Sequence, residues 1–167
     1  MIVGKESDFA IEITDYDKVK RIAKLKLHLN GKVFGDGKKS KSIDPLVSAL
    51  ETIIEAGDSL YDTSFNNRSF GDVFSTVLVL HAEVGEWTDD DYAQLDRYER
   101  FTFFWGEQFS NVTAVVFTKD GICHILWSMN KNMSGGKIDY LKNLHADLIP
   151  LNSIVGVKDE LMQYLNQ

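Results

Sequence analysis

Hydrophobic positions along this chain follow two periods, and the changes of period mark out its elements. At 112–129 two runs of β-branched and aromatic residues, VTAVVFT and ICHILWSM, flank Lys119-Asp120-Gly121. An Asp-Gly pair between such runs is a strong hairpin signal, because both turn positions tolerate positive φ. Val112, Ala114 and Val116 point to one face and Val115 and Phe117 to the other, so neither face is polar. The hairpin is therefore expected in the middle of a sheet, with cover above and below.

Elsewhere the alternation is simpler. Phe9, Ala10, Ile11 and Ile13 predict a first strand starting near Asp8, broken by Asp15-Tyr16-Asp17. Over 21–29, Ala23, Leu25, Leu27 and Leu29 alternate with Lys24, Lys26 and His28, the pattern of a strand with one wet face. Asn30-Gly31 suits a type I′ turn into the short return Lys32-Val33-Phe34, completing a three-stranded meander. After the polar loop 35–42, Asp44 as N-cap and Pro45 in the first turn open a helix. Its stripe is Leu46, Val47, Leu50, Ile53 and Ile54, and Gly57 ends it.

Residues 58–67 read as a loop. Phe70, Val73, Phe74, Val77, Leu78 and His81 suit a helix, although Val73, Ser75, Val77 and Val79 also alternate as a strand. The Phe70/Phe74 and Val73/Val77 pairs share one helical face, which favours the helix. Thr88 caps a short acidic helix with Asp89, Asp90 and Asp91 in its first turn and Tyr92, Leu95, Tyr98 and Phe101 inward. The aromatic stretch 102–110 follows no period, and 130–143, with Ser134-Gly135-Gly136, reads as a surface connection. Leu144, Ala146 and Leu148 alternate with His145 and Asp147, predicting a half-exposed strand that ends at Pro150. Asn152 or Ser153 caps a final helix that packs through Ile154, Val157, Leu161, Tyr164 and Leu165. These elements predict one α+β domain over 1–167: an antiparallel β-sheet of roughly six strands with helices packed against it, including the C-terminal amphipathic helix.

Composition narrows the function. An apolar fraction of 44% and a charged fraction of 26% are those of a globular domain. The net charge of −7 argues against nucleic acid or anionic lipid as the main partner and suits a basic protein. The single cysteine, Cys123, excludes an internal disulfide and a cysteine-built zinc site. No signal-peptide pattern opens the chain and no apolar run approaches the ~20 residues that span a bilayer, so a cytoplasmic protein without a membrane role is expected.

Catalytic templates find little purchase. Gly35-Asp36-Gly37 with Lys38 and Lys39 lacks the spacing of a phosphate-binding loop. His28, His81, His124 and His145 are scattered over separate elements, and adjacent Cys123 and His124 point to opposite faces of a strand. No catalytic residue, cofactor or metal site is expected, and structural roles are assigned to all five side chains. Charge, by contrast, is segregated. Lys18, Lys20, Arg21, Lys24, Lys26, Lys32, Lys38, Lys39 and Lys41 face a single acid, Asp36, in their run. Glu83, Glu86, Asp89, Asp90, Asp91, Asp96 and Glu99 surround only Arg97. Such runs are commonly solvated faces. Aromatic residues set among the acids also make a docking surface for a basic protein, rings supplying energy and charges register. On that reading Glu86, Trp87, Asp89, Asp90, Asp91, Tyr92 and Asp96 form the binding site.

IVGKESDFAIEI followed by a strand closing in LNGK, then LDRYERF, GEQFSNVTAVVF and the Pro-led LIPLNSIVGVKDELMQYL resemble the immunity protein 42 family of bacterial polymorphic toxin and contact-dependent inhibition systems. The likeness runs over nearly the whole chain; Gly156 and Val157, and the lack of a Trp in the last helix, depart from it. It carries over a scaffold and no active site. It implies a non-enzymatic protein that occludes one cognate toxin, often a nuclease with a basic cleft. An acidic adaptor for another bacterial protein is the second reading. A small-ligand domain walled by the aromatic residues of 101–109 is the third.

Overall fold

A computed structural model describes residues 1–35, 37–82, 88–129 and 143–167, without the side chains of 79–82. The expected connection over 130–143 thus lies almost wholly outside the described residues.

Strands β1 (Ile2–Gly4), β2 (Phe9–Asp17), β3 (Ile22–Leu29), β4 (Lys32–Phe34) and β5 (Lys41–Ser42) form an antiparallel sheet in the order β1-β2-β3-β4, with β5 also on β3. The predicted meander is its centre; β1 and β5 are additions too short for periodicity to reveal. Register sets Phe9 against Leu29, Ile11 against Leu27 and Ile13 against Leu25, so two apolar rows merge into one buried face. β2 does not stop at Asp15. The register shifts between Thr14 and Asp17, with Asp15 at φ 54, and the strand continues past this irregularity. His28 is not on a wet face either. It is only 4% exposed, with its ring nitrogens 3.4 Å from Glu12 and 3.5 Å from Glu6. The Asn30-Gly31 turn has positive φ at both positions, as type I′ requires.

Helix α1 (Asp44–Ala56) begins one residue earlier than expected: Asp44 is inside it, and the Ser42 hydroxyl accepts from the Asp44 N–H. Leu46, Val47, Ala49, Leu50 and Ile53 are its buried stripe. Single 3₁₀ turns at Gly57–Ser59 and Thr63–Phe65 break up the predicted loop. Next come the two expected helices, α2 (Phe70–Ala82) and α3 (Asp89–Tyr98).

The hairpin β6 (Val112–Lys119) and β7 (Ile122–Met129) turns through Asp120-Gly121, both at positive φ. With β8 (His145–Pro150) it forms a second sheet in the order β6-β7-β8. Only β7 is central. β6 is an edge strand whose outer side is bridged by Thr102 and bonded at Thr118 N–H to the Leu60 carbonyl. Both faces of the hairpin are nonetheless covered, as the apolar pattern requires. Phe70 of α2 packs on His124 from one side, and Phe34 of the first sheet meets Trp127 at 4.8 Å from the other. The predicted strands thus belong to two antiparallel sheets, eight strands among the described residues, within an α+β fold.

β8 presents the opposite side from that expected of its leucines. Asp147 is 2% exposed, whereas Leu148 is 46% exposed. Trp127 Nε1 donates to Asp147 at 2.7 Å, the Asn30 amide at 2.9 Å and Lys32 at 3.1 Å. Burial opposes its charge, but these donors hold the Asp147 carboxyl below the usual range. The face of β8 is chosen by this polar joint between the sheets.

The last helix, α4 (Leu151–Asn166), starts directly at Pro150; neither Asn152 nor Ser153 caps it, and Ser153 instead donates to Asp8. Ile154, Val157, Leu161 and Leu165 are buried as expected. Val157 sits over Gly4, where an added Cβ would lie 2.5 Å from a Val157 methyl and 2.4 Å from the Phe9 carbonyl oxygen. At φ +87, Gly4 serves both backbone and close approach.

Candidate functional site

The acidic run becomes a ridge because α3 is fastened from one side only. Thr88 opens it with a capping box: its hydroxyl accepts from Asp91 N–H, and the Asp91 carboxylate accepts from Thr88 N–H at 2.8 Å and from the Thr88 hydroxyl at 2.7 Å. Those bonds hold the Asp91 carboxyl below its ordinary range. Near the other end, Arg97 grips Asp62 through two bonds, Nε to Oδ2 at 2.7 Å and Nη2 to Oδ1 at 2.6 Å. Asp62 also accepts from Ser64 N–H, capping the Thr63–Phe65 turn. The Arg97 guanidinium, aided by Ser64, holds the Asp62 carboxyl well below the carboxylate range against the opposing effect of burial. Tyr98 is buried, stacks on Phe65 at 6.1 Å and shares a hydrogen bond with Ser64.

With Tyr98 and Arg97 turned to the core side, Asp89, Tyr92 and Asp96 fall at i, i+3 and i+7 on the outward face. Tyr92 is therefore not an inner residue as its spacing suggested; it is 55% exposed. Asp89, Asp90 and Asp96 are exposed, and none is in an ion pair among the described residues. Asp91 is half-buried and engaged in the cap, so it belongs to the helix start. Glu86 and Trp87 lie outside the described residues. The structure thus places Asp89, Tyr92 and Asp96 on one face, leaves exposed Asp90 on the Arg97 side of the helix, and separates Asp91 from them in role.

Sequence reasoning missed Asp62 and Arg97, which aim the ridge. The available signal was Arg97 itself, a lone cation inside a run of acids.

The aromatic stretch after α3 divides. Phe101, Trp105 and Phe109 are core residues, whereas Phe104 is 63% exposed. Phe103 and Phe104 border an open groove of about 400 Å³ with Leu78, Val112 and Ala114. Its walls are apolar apart from Thr102 and Thr113, the Thr102 hydroxyl donating to the Glu99 carbonyl. That gives recognition surface but no converging acid and base. Cys123 is fully buried and burial pushes its thiol up to about 12, so it is inert. Among the described residues no group of three or more His, Cys, Asp and Glu side chains is placed to hold a metal, and no helix is long and apolar enough to cross a membrane.

Comparison with known proteins gives two likenesses. The sequence profile of the family described as immunity protein 42 matches residues 1–164. The crystal structure of CdiI from Burkholderia dolosa superposes with a TM-score of 0.58 over 98% of this chain and 99% of that one. Sequence identity is 12%, so this likeness is one of fold. No curated protein matches the chain.

Proposed function

We infer from the immunity protein 42 family, to which this chain belongs, that it binds and neutralises one cognate toxin. It acts by stoichiometric occlusion rather than by catalysis, in the cytoplasm of the cell it protects. The outward face of α3 is the docking surface. Asp89, Asp90 and Asp96 meet cations of the toxin, and Tyr92 supplies a rigid ring that loses little entropy on binding. Glu86 and Trp87, just before this helix in sequence and outside the described residues, are part of the proposed binding set. A basic, nucleic-acid-binding cleft is the toxin feature this ridge best complements, which favours a nuclease.

The observation that carries the reading is a set of acids with no basic partner among the described residues, on a helix held from behind by Arg97 and Tyr98. The test is co-purification with the product of the gene immediately upstream. The expected outcome is a salt-sensitive one-to-one complex that abolishes that product's toxicity. Changing Asp89 and Asp96 together to Asn, with Asp91 left intact, should slow association about fivefold at low salt and flatten its salt dependence. Unchanged kinetics would remove α3 as the docking surface.

A further inference from the structure

Most charge on the first sheet is neutralised internally. Arg21, Lys24, Lys26, Lys32 and Lys41 each pair with a carboxylate: Asp44, Asp15, Glu12, Asp147 and Glu107 respectively. Among the cations with no acidic partner in the described residues, Arg100, Lys119 and Arg68 lie around Tyr61 and the cavity it lines. Arg100 donates to the Tyr61 carbonyl at 2.9 Å. Lys119 donates to the Tyr61 hydroxyl at 3.4 Å and to the Asn66 side-chain oxygen at 3.3 Å, and lies 5.1 Å from the Tyr61 ring centre. Arg68, whose guanidinium donates to the Thr76 hydroxyl, lines the same cavity as Lys119 and Tyr61.

That cavity holds about 200 Å³ and has no Asp or Glu in its wall among the described residues. Phe70, Phe117 and His124 give it an aromatic side, His124 stacking on Phe117 at 4.5 Å with the rings 10° apart. His124 Nδ1 is buried with no hydrogen-bond partner among the described residues. Burial, helped by Lys119, lowers the His124 pKa, so the ring is neutral at pH 7. Phe65, also in the wall, stacks on Tyr98 of α3, so the cavity adjoins the foot of the acidic ridge. A concave aromatic site lined by two cations without an acidic partner among the described residues, Arg68 and Lys119, in a protein of net charge −7, is chemically selective for an anion with a small apolar body.

We propose that this cavity receives an acidic side chain of the cognate toxin, its carboxylate between Lys119 and Arg68 and its methylenes against Phe70 and Phe117. The proposal rests on the immunity reading and deepens it. The docking surface becomes dipolar, with an acidic ridge for the toxin's cations and a basic socket beside it for one of its anions. Opposite charges side by side fix orientation, because a partner rotated in the interface would set like charges against each other.

The test measures affinity for the toxin domain that the wild-type chain neutralises. Arg68→Glu with Lys119→Glu should weaken the complex at least about 30-fold, mostly through faster dissociation. The size-conserving Arg68→Gln with Lys119→Gln should weaken it about tenfold, guarding against a folding artefact. Affinities of both double variants within twofold of wild type would overturn the proposal while leaving the immunity reading standing. A wild-type chain that neither binds nor neutralises the toxin would remove both. Benzoate serves as a free-carboxylate probe: if it shifts the Phe70 and His124 amide resonances while the variants bind toxin normally, the cavity serves a small molecule and the proposal fails.

Discussion

Lys24 and Lys26 of β3 lie against Asp15 and Glu12 of β2, whereas Asp89, Asp90 and Asp96 of α3 have no basic partner among the described residues. In sequence both regions are long runs of one sign. They differ because a sheet and a surface helix find partners differently. Cross-strand register brings each lysine to a residue of the preceding strand, so a basic run on β3 is cancelled by acids that β2 contributed. A helix meets only residues three or four positions away and whatever lies beneath it. The one base in α3, Arg97, is turned beneath, to Asp62. A charge run therefore says little about the surface field on a paired strand and much about it on a helix.

The comparison can be broken or sharpened by removing the partner on each side. The largest effect is expected from Asp147→Ala, which strips the acceptor from Trp127, Asn30 and Lys32 in a buried joint. We expect a loss of about 2–3 kcal/mol in urea unfolding, mostly the cost of leaving the buried Trp127 donor without its acceptor, since Lys32 is 43% exposed. A loss below about 1 kcal/mol would mean that the Trp127, Asn30 and Lys32 donors find other acceptors and that this joint does not hold the two sheets together.

Next comes Asp62→Asn, which releases the underside of α3 and should cost about 1–2 kcal/mol at pH 7. The pH dependence has a definite sign. Unfolded aspartate titrates near about 3.9, and Arg97 holds the folded Asp62 well below that. The stabilisation is complete above about pH 4 and is lost as the pH falls further, because the unfolded chain then takes up the proton first. Thermal midpoints of wild type and variant should differ at pH 7, and the gap should narrow steadily as the pH falls below about 4. A gap unchanged between about pH 5 and pH 2 would assign the effect to lost packing.

The smallest effect belongs to Thr88→Ala. It removes one half of the capping box and should cost about 1 kcal/mol, seen as faster amide exchange confined to the first turn of α3. Faster exchange through Tyr98 would show that the cap, rather than the Arg97 anchor, holds the ridge.

Much of this was legible in the chain. The two type I′ hairpins, the α1 stripe and the inner face of α4 follow from period and turn chemistry, as Asp120-Gly121 and Leu46-Leu50-Ile53 show. The acidic helix and its Thr88 cap were equally plain. What escaped were contacts made by residues distant in sequence. Leu148 looked like core and Asp147 like surface until Trp127, Asn30 and Lys32 reversed them. Tyr92 looked inward because its spacing to Leu95 allows it, but Tyr98 and Arg97 set the rotation of the helix. The basic socket was invisible because Arg68 and Lys119 are single cations far apart in sequence that come together only in the wall of the cavity beside Tyr61.

The seat of Val157 over Gly4 has a consequence for how the protein is made. β1 and β2 are translated well before α4, yet α4 packs on both, and Glu160 accepts from the Gly4 N–H. On the ribosome the two strands therefore wait with an apolar flank uncovered until α4 has emerged. A message cut short before α4 yields a chain that cannot cover that flank, and cellular proteases will see it as unfolded. Only a copy that includes α4 confers protection.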